Sequence, residues 1–424
     1  MPSSPALSTA SSGHDYLGDE WPQMLDGSQW DGLNLLDLLS RGQSPFGPIL
    51  DANLLLQEVK DKLSAEVIDI PRVHTGANNY GFHLKLSDQR HVLARLWRAD
   101  VNMPHYDGFS LRWLHQQIDF EVTTNRLLQN TPGVPTGRLL YHRHPLQHAG
   151  IEHGMPKDIS GRRFMIFEMA QGQCRLWSGF DQQQRMSTLA NVAAIRTALL
   201  NLELPSQFVS DWLLWRTFQP VEWMPKELLL PISATRDFWL ATLKAKIGAM
   251  VKNEGDLIGW PGNGVTVGPK ALAAKKSLLR LMPLILPEGD EAVMYRPVLQ
   301  HDDFGFHNIL NSISETGQTS STSIFDWETG CIVPFALSEI TFLVAGWNLT
   351  IDEDGELSVY VRPGHPILKR ETRTKNALLT PYIEEVIHKV KEARGQDSEE
   401  SFGELGDWAE QRLAERGLSD TSDL

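Results

Sequence analysis

The stretch of this chain richest in chemistry is Val298-Leu299-Gln300-His301-Asp302-Asp303-Phe304-Gly305-Phe306-His307-Asn308-Ile309-Leu310. Apolar residues flank a polar loop that carries His, Asp and Asn in the order H-x-D-x-x-x-x-N. A polar turn from Asn311 to Ser323 follows, and Ile324-Phe325-Asp326-Trp327-Glu328 then reads as a strand ending on a carboxylate. These residue types suit phosphoryl transfer. That reaction needs hard oxygen ligands to hold magnesium against nucleotide phosphates, and a further carboxylate to meet the acceptor hydroxyl. Asn308 and Asp326 are the candidate metal ligands and Asp303 the candidate base; the spacing from 303 to 308 lets one loop carry both. His301 joins Asp303 in the catalytic pair as a structural group that hydrogen-bonds near the Asp326 turn, not as a base. Singly, each is an ordinary loop residue; the joint pattern is what points to chemistry.

The elements that must position these residues follow from periodicity. A helical stretch from Leu54 leads into a strand with Ile68, Ile70 and Val73, and residues 74–82 are turn-forming. Phe82, Leu84 and Leu86 alternate with polar residues, as in a half-buried strand. Asp88-Gln89-Arg90 makes a turn before a third strand over His91–Leu96. A helix over Phe109–Asn130 ends at Pro132-Gly133-Val134-Pro135, and further strands are expected at Arg138–His142 and Phe164–Phe167. Beyond Gly172 helices are expected over Asp181–Leu204, Arg236–Met250, Lys270–Met282, Leu337–Trp347 and Ala377–Ala393. The acidic tail adds an amphipathic helix using Phe402, Leu405, Trp408 and Leu413. The tryptophan-rich stretch Phe208–Pro231 reads as irregular. Trp177, Trp212, Trp215, Trp223 and Trp260 fit packing within a helical lobe better than an aromatic cage for a quaternary amine.

The two motifs together resemble those of the aminoglycoside phosphotransferase family, which is also similar to choline kinases. Its members carry a His-x-Asp loop with Asn five positions on, then Asp-Trp-Glu or a similar triplet after a short hairpin. The resemblance runs from about residue 65 to 395 and is weaker over 205–290. It implies an α+β, two-lobed protein-kinase-like fold with a small antiparallel-sheet N-lobe and a larger, mainly helical C-lobe. The expected organisation is a flexible acidic lead-in (1–45) with one short docking helix from Leu33, Leu35, Leu36, Leu38 and Leu39, a nucleotide-binding lobe (46–170), a catalytic and substrate lobe (171–395) and an acidic tail (396–424). The resemblance also implies that Arg95 takes the place of the phosphate-contacting strand lysine and pairs with Glu121 of the following helix. Gly76 and Asn79 fall in the hairpin loop that covers the nucleotide, and Glu168 and Ala170 in the hinge that meets the adenine edge. The implied cofactors are ATP or GTP, with Mg²⁺. Asp302 stands where the family often has Gly, and Phe304-Gly305-Phe306-His307 replaces its usual Leu-His-Pro-Gly run.

Composition narrows the partners. The 424 residues carry a formal net charge of −14, which repels nucleic-acid phosphates and suits a cationic acceptor. Two cysteines, Cys174 and Cys331, make neither a disulfide framework nor a zinc site. The most apolar run, Leu278–Leu286, is broken by Arg280 and Pro283, so no membrane span is expected. With no basic or apolar leader at its start, the chain is expected in the cytoplasm. The expected function is ATP- and Mg²⁺-dependent transfer of the γ-phosphate to a hydroxyl of a small molecule, aminoglycoside- or choline-like. The alternatives are a kinase-fold nucleotide-binding regulatory protein without transfer, or a same-fold enzyme with other chemistry. An intact Asp303 speaks against the regulatory protein, and the lack of an A-P-E run after Asp326 against a protein kinase.

Overall fold

The computed structural model describes residues 21–24, 26–47, 50–76, 78–98, 111–146, 159–175, 179–217, 227–255, 257–258, 265–266, 268–338, 347–351, 357–361 and 398–418. They divide into two compact units. The first takes in residues up to His115 and Leu139–Met169; the second takes in Gln116–Arg138 and everything from Ala170.

In the first unit, helices α1 (Leu35–Ser40) and α2 (Ala52–Leu63) precede β1 (Val67–Thr75), β2 (Asn79–Leu86) and β3 (His91–Trp97). With β4 (Leu139–Arg143) and β5 (Phe164–Glu168) they form one antiparallel sheet in the order β1-β2-β3-β5-β4. The alternation in sequence sets its two faces. Tyr80, Phe82, Leu84, Leu86, Val92, Ala94 and Leu96 all point into one core and are essentially unexposed. In β1 the pattern breaks: Ile70 and Val73 are buried, but Ile68 is 47% exposed. Register irregularities between Val67 and Asp69 and between Asp69 and Arg72 account for this, because a bulge changes which residues face the core.

The short docking helix expected from Leu33, Leu35, Leu36, Leu38 and Leu39 is α1, and the packing reaches beyond it, so that residues 26–47 are not the flexible lead-in expected from their Ser, Gly and Asp content. Trp30, Leu35 and Phe46 are buried in the same core as the sheet. The Trp21 and Trp30 rings stack at 5.6 Å, and Phe46 meets Trp30 and Tyr80 edge-on at 5.4 and 5.2 Å. Val73 donates its N–H to the Gly32 carbonyl at 2.8 Å, and a Cβ on Gly32 (φ +80°) would overlap the Val73 carbonyl. Two aromatic side chains of this stretch, Trp30 and Phe46, each burying on the order of 150–250 Å², outweigh a composition that otherwise favours disorder.

The second unit holds α3 (Leu111–Gln129) from Gln116 onward, α4 (Gln182–Leu200), α5 (Ser206–Thr217), α6 (Arg236–Met250), α7 (Pro269–Ile285), α8 (Glu291–Met294) and, last in the chain, α9 (Ser398–Glu415). Short antiparallel ladders lie among them: β6 (Leu257–Ile258) with β7 (Val265–Thr266), β8 (Pro297–Gln300) with β11 (Cys331–Pro334), β9 (Ile309–Ile313) with β10 (Thr319–Ile324), and β12 (Trp347–Ile351) with β13 (Leu357–Val361). The expected fold class, a small antiparallel sheet followed by a larger and mainly helical part, is the one found. Helix α4 starts at a capping box: Asp181 accepts from the Gln184 N–H while the Gln184 side chain accepts from the Asp181 N–H.

Three expectations for this unit change. Ser206–Thr217 is helical, not irregular; Phe208, Val209, Trp212 and Leu213 form its buried face, and Phe208 stacks on Phe120 at 5.3 Å. Tertiary packing overrides the modest helix propensity of these aromatic residues. Trp212 and Trp215 are thus core, the packing role expected of them. The polar stretch Asn311–Ser323 is mostly strand, because buried Asn311, Thr319 and Ser323 lie in a paired hairpin, with Thr319 accepting from Asn191 and donating its N–H to Ser187 of α4. The acidic tail is no separate segment: α9 packs on α7, with Phe402, Leu405, Ala409 and Leu413 buried and Glu410 bonded to Ser277 (2.6 Å) and Arg280 (3.0 Å). The helix expected over Ala377–Ala393 and residues Trp177, Trp223 and Trp260 lie outside the described residues. So do 339–346 of the helix expected over Leu337–Trp347, while Trp347 opens a strand. Among the described residues, no helix is long and apolar enough to cross a membrane.

Candidate functional site

Two ladders force the motif loops side by side. The loop 301–308 leaves β8 at Gln300 and enters β9 at Ile309; the loop 325–330 leaves β10 at Ile324 and enters β11 at Cys331. Gln300 pairs with Cys331, and Ile309 pairs with Ile324. Both ends of one loop are therefore joined to both ends of the other, so the two must run alongside each other. Cross-links complete the arrangement. Phe325 donates its N–H to the Asn308 carbonyl (3.1 Å), and His301 Nε2 lies 2.8 Å from the Phe325 carbonyl.

His301 is 2% exposed, and its ring centroid sits 4.6 Å from that of the fully buried Trp327. The Asp303 N–H points to its Nδ1 at 3.3 Å, so the proton is assigned to Nε2, which donates to Phe325. Burial pushes the imidazole below its ordinary value of 6.5, against the upward pull of the Phe325 hydrogen bond and the carboxylates of Asp326, Asp303 and Asp302. The ring is thus hydrogen-bonded to both loops.

Asp303 is exposed and Asn308 is 3% exposed. The Asn308 amide donates to the Asp303 carbonyl (2.9 Å) and to Asp303 Oδ2 (3.1 Å), while His307 Nε2 lies 2.8 Å from the same Oδ2. Asp326 has φ 69° and ψ 45°, the left-handed region, which asparagine and aspartate tolerate better than other non-glycine residues. A residue held in such a conformation costs on the order of 1–3 kcal/mol and persists where its surroundings over-determine it. Glu328 is buried in the 3₁₀ turn Trp327–Thr329 that follows.

The segment after β5 is pinned to this site. Gln173 and Asn311 exchange backbone hydrogen bonds at 2.9 and 3.0 Å. Gly172, at φ +113°, lets that approach happen: a Cβ there would lie 2.8 Å from the Asn311 carbonyl oxygen and 2.9 Å from Thr322 Oγ1. Ala170, two residues earlier, belongs to the same unit, as does Glu121, which is 1% exposed on α3 and accepts from Asn125 through its carbonyl.

The remaining nucleotide-side candidates are in the first unit. Arg95 lies opposite Gly81 and Met165 in the sheet, on the face away from Ala94 and Leu96. Gly76 closes the β1–β2 turn by donating its N–H to the Asn79 carbonyl (2.8 Å), and Arg98 Nη1 donates to the Gly76 carbonyl (2.8 Å). Asn79 opens β2, with Arg163 Nη2 3.5 Å from its Oδ1. Glu168 ends β5 opposite Val92 and is exposed. Gly172 stands just after the expected hinge in the sequence, which does not reveal its approach to Asn311, and His307 was assigned no role there; its place four positions from Asp303 was the signal available.

The donor set fits magnesium. Asn308 Oδ1 accepts no hydrogen bond among the described residues while its Nδ2 is engaged, so the amide oxygen is the half left for a cation. Among the described residues no group of three or more His, Cys, Asp or Glu side chains could hold a metal. One amide oxygen and one carboxylate are what magnesium takes from a protein when phosphates and water complete its shell.

No protein-family model matches the sequence, and no curated protein matches it. Solved structures similar to it include a thermostable mutant of an aminoglycoside phosphotransferase in ternary complex with ADP and hygromycin B. That chain is 13% identical with a TM-score of 0.40, over 84% of this chain and 97% of that one. An ethanolamine kinase from Plasmodium vivax is 13% identical with a TM-score of 0.41, over 86% of this chain and 88% of that one. An AMP-bound spectinomycin phosphotransferase is 10% identical with a TM-score of 0.35, over 84% of this chain and 97% of that one.

Proposed function

We propose that this chain is a small-molecule kinase that transfers the γ-phosphate of ATP or GTP to a hydroxyl of its acceptor. The observation that carries this reading is the enforced adjacency of two loops that hold Asp303, Asn308 and Asp326, three oxygen-bearing side chains with distinct duties. Asn308 and Asp326 would hold Mg²⁺, which when bound offsets charge on the nucleotide phosphates. Asp303 meets the acceptor hydroxyl. As the acceptor oxygen bonds to the γ-phosphorus, the bond from that phosphorus to the β–γ bridging oxygen breaks, the nucleoside diphosphate leaves, and the hydroxyl proton passes to Asp303. His301 holds the two loops in register. Gly76, Asn79, Arg95 and Glu168 of the first unit, with Glu121 and Ala170 of the second, are the nucleotide-side residues of this reading. The net charge of −14 favours a cationic hydroxylated acceptor.

The test is thermal stability against ATP and Mg²⁺, for wild type and Asp326→Ala. A ligand at a hundredfold excess over its Kd adds about 2.7 kcal/mol of stability. A magnesium-dependent rise in Tm for the wild type, lost in the variant, is expected. No shift with ATP or GTP sinks the reading. A shift without nucleotide turnover, when hydroxylated amines are offered, turns it into that of a nucleotide-binding protein.

A further inference from the structure

We propose that His307 is a positioning residue for Asp303, directing the Oδ1 atom of that carboxylate to the acceptor hydroxyl. The inference rests on the reading of Asp303 as the base. Both side chains are more than half exposed, at 57% and 53%, and such a carboxylate ordinarily turns freely about its broad terminal torsion. Here one oxygen is held from two sides. Oδ2 lies 2.8 Å from His307 Nε2 and 3.1 Å from Asn308 Nδ2, while Oδ1 has no hydrogen bond among the described residues. A carboxylate accepts, so the His307 proton is assigned to Nε2.

The backbone makes this aim reproducible. His307 lies in the 3₁₀ turn Phe306–Asn308, between two buried neighbours, so its own side chain must point outward. Phe306 is 4% exposed, with its ring 6.0 Å from that of Phe180, and Cys174 Sγ lies 3.3 Å from the His307 carbonyl. Asn308 divides its amide between the Asp303 carbonyl and Oδ2, so His307 makes the shorter contact to the carboxylate.

Side-chain ¹H–¹⁵N spectra of the full chain, with His307 assigned through His307→Gln, decide the bond. The Nε2-protonated tautomer is expected, with its resonance shifting in Asp303→Ala; a His307 signal identical in wild type and Asp303→Ala overturns the proposal. Phosphate release from MgATP, with water as acceptor, decides the role. His307→Ala should lower kcat about tenfold with KM for ATP unchanged, since small misplacements of a reacting group are costly. His307→Gln, whose amide can donate to the same oxygen, should recover most of the loss. A His307→Ala variant at wild-type kcat, with Asp303→Ala inactive, overturns the proposal; an Asp303→Ala variant at wild-type kcat removes the base reading instead.

Discussion

The sheet of the first unit and the loop pair of the second are positioned by different physics. In the sheet, Phe82, Leu84, Val92, Ala94 and Leu96 supply position through burial, which is large in free energy but non-directional. In the loop pair, the candidate site residues are set by a few directional bonds: Phe325 to Asn308, His301 to Phe325, and Asn308 to Asp303. The first mechanism tolerates similar side chains in the same places. The second depends on the identity of each donor and acceptor. Stability and function should therefore come apart when each region is perturbed.

The largest effect is expected in the sheet. Phe82→Ala should cost about 3–5 kcal/mol by denaturant unfolding, the usual toll for a buried Phe. If it costs under about 1 kcal/mol, burial is not what organises this unit. Gly172→Ala comes next, at roughly 2–4 kcal/mol, from strain at positive φ together with overpacking against Asn311. It should also lower nucleotide-dependent stabilisation, because the Asn311 strand runs directly from Asn308; a normal Tm response to ATP and Mg²⁺ would uncouple this glycine from the site. His301→Ala should cost roughly 1–3 kcal/mol, leaving Phe325 and Asp303 backbone groups without their partner. It should damage turnover more than Phe82→Ala does at a temperature where both variants are folded, and equal turnover in the two would erase the contrast drawn above.

The smallest effect concerns pH. Burial, then the neighbouring His74 and Arg72, push His83 in the sheet from 6.5 down to about 4. Because the folded state disfavours the proton that the unfolded chain accepts, this contribution is complete above pH 6.5 and is lost as pH falls towards 4. His301 is depressed in the same direction, so both units should weaken on acidification. Urea midpoints of His83→Gln should fall less steeply over pH 7 to 4 than those of the wild type. Parallel profiles would mean that His83 is as solvated as in the unfolded chain.

Legibility in the sequence followed the range of the interactions. The alternation at Phe82, Leu84 and Leu86, the tail-helix face of Phe402, Leu405, Trp408 and Leu413, and the span of α6 were all readable, because each depends on neighbours within two to five positions. Helix α5 was hidden because its stability comes from Phe120, far away in sequence, and not from local propensity. Within residues 26–47 the leucine run of α1 was readable, but the packing of Trp30 and Phe46 was hidden, because they are sparse within a polar stretch and only the sheet core gives them somewhere to go.

At the site, the sequence by itself determined which side chains are available and how far apart a loop can hold them: Asp303 and Asn308 on one loop, Asp326 after a hairpin, and His301 beside them. Only the tertiary structure decided that Gln300 pairs with Cys331 while Ile309 pairs with Ile324, and so that the loops lie together. It alone put Asp326 in the left-handed region, brought Gly172 against Asn311, and turned His307 onto Asp303. The reason is physical. A spacing limits the reach of a residue, but the direction in which it points depends on strands distant in sequence, whose pairing appears only when the chain folds.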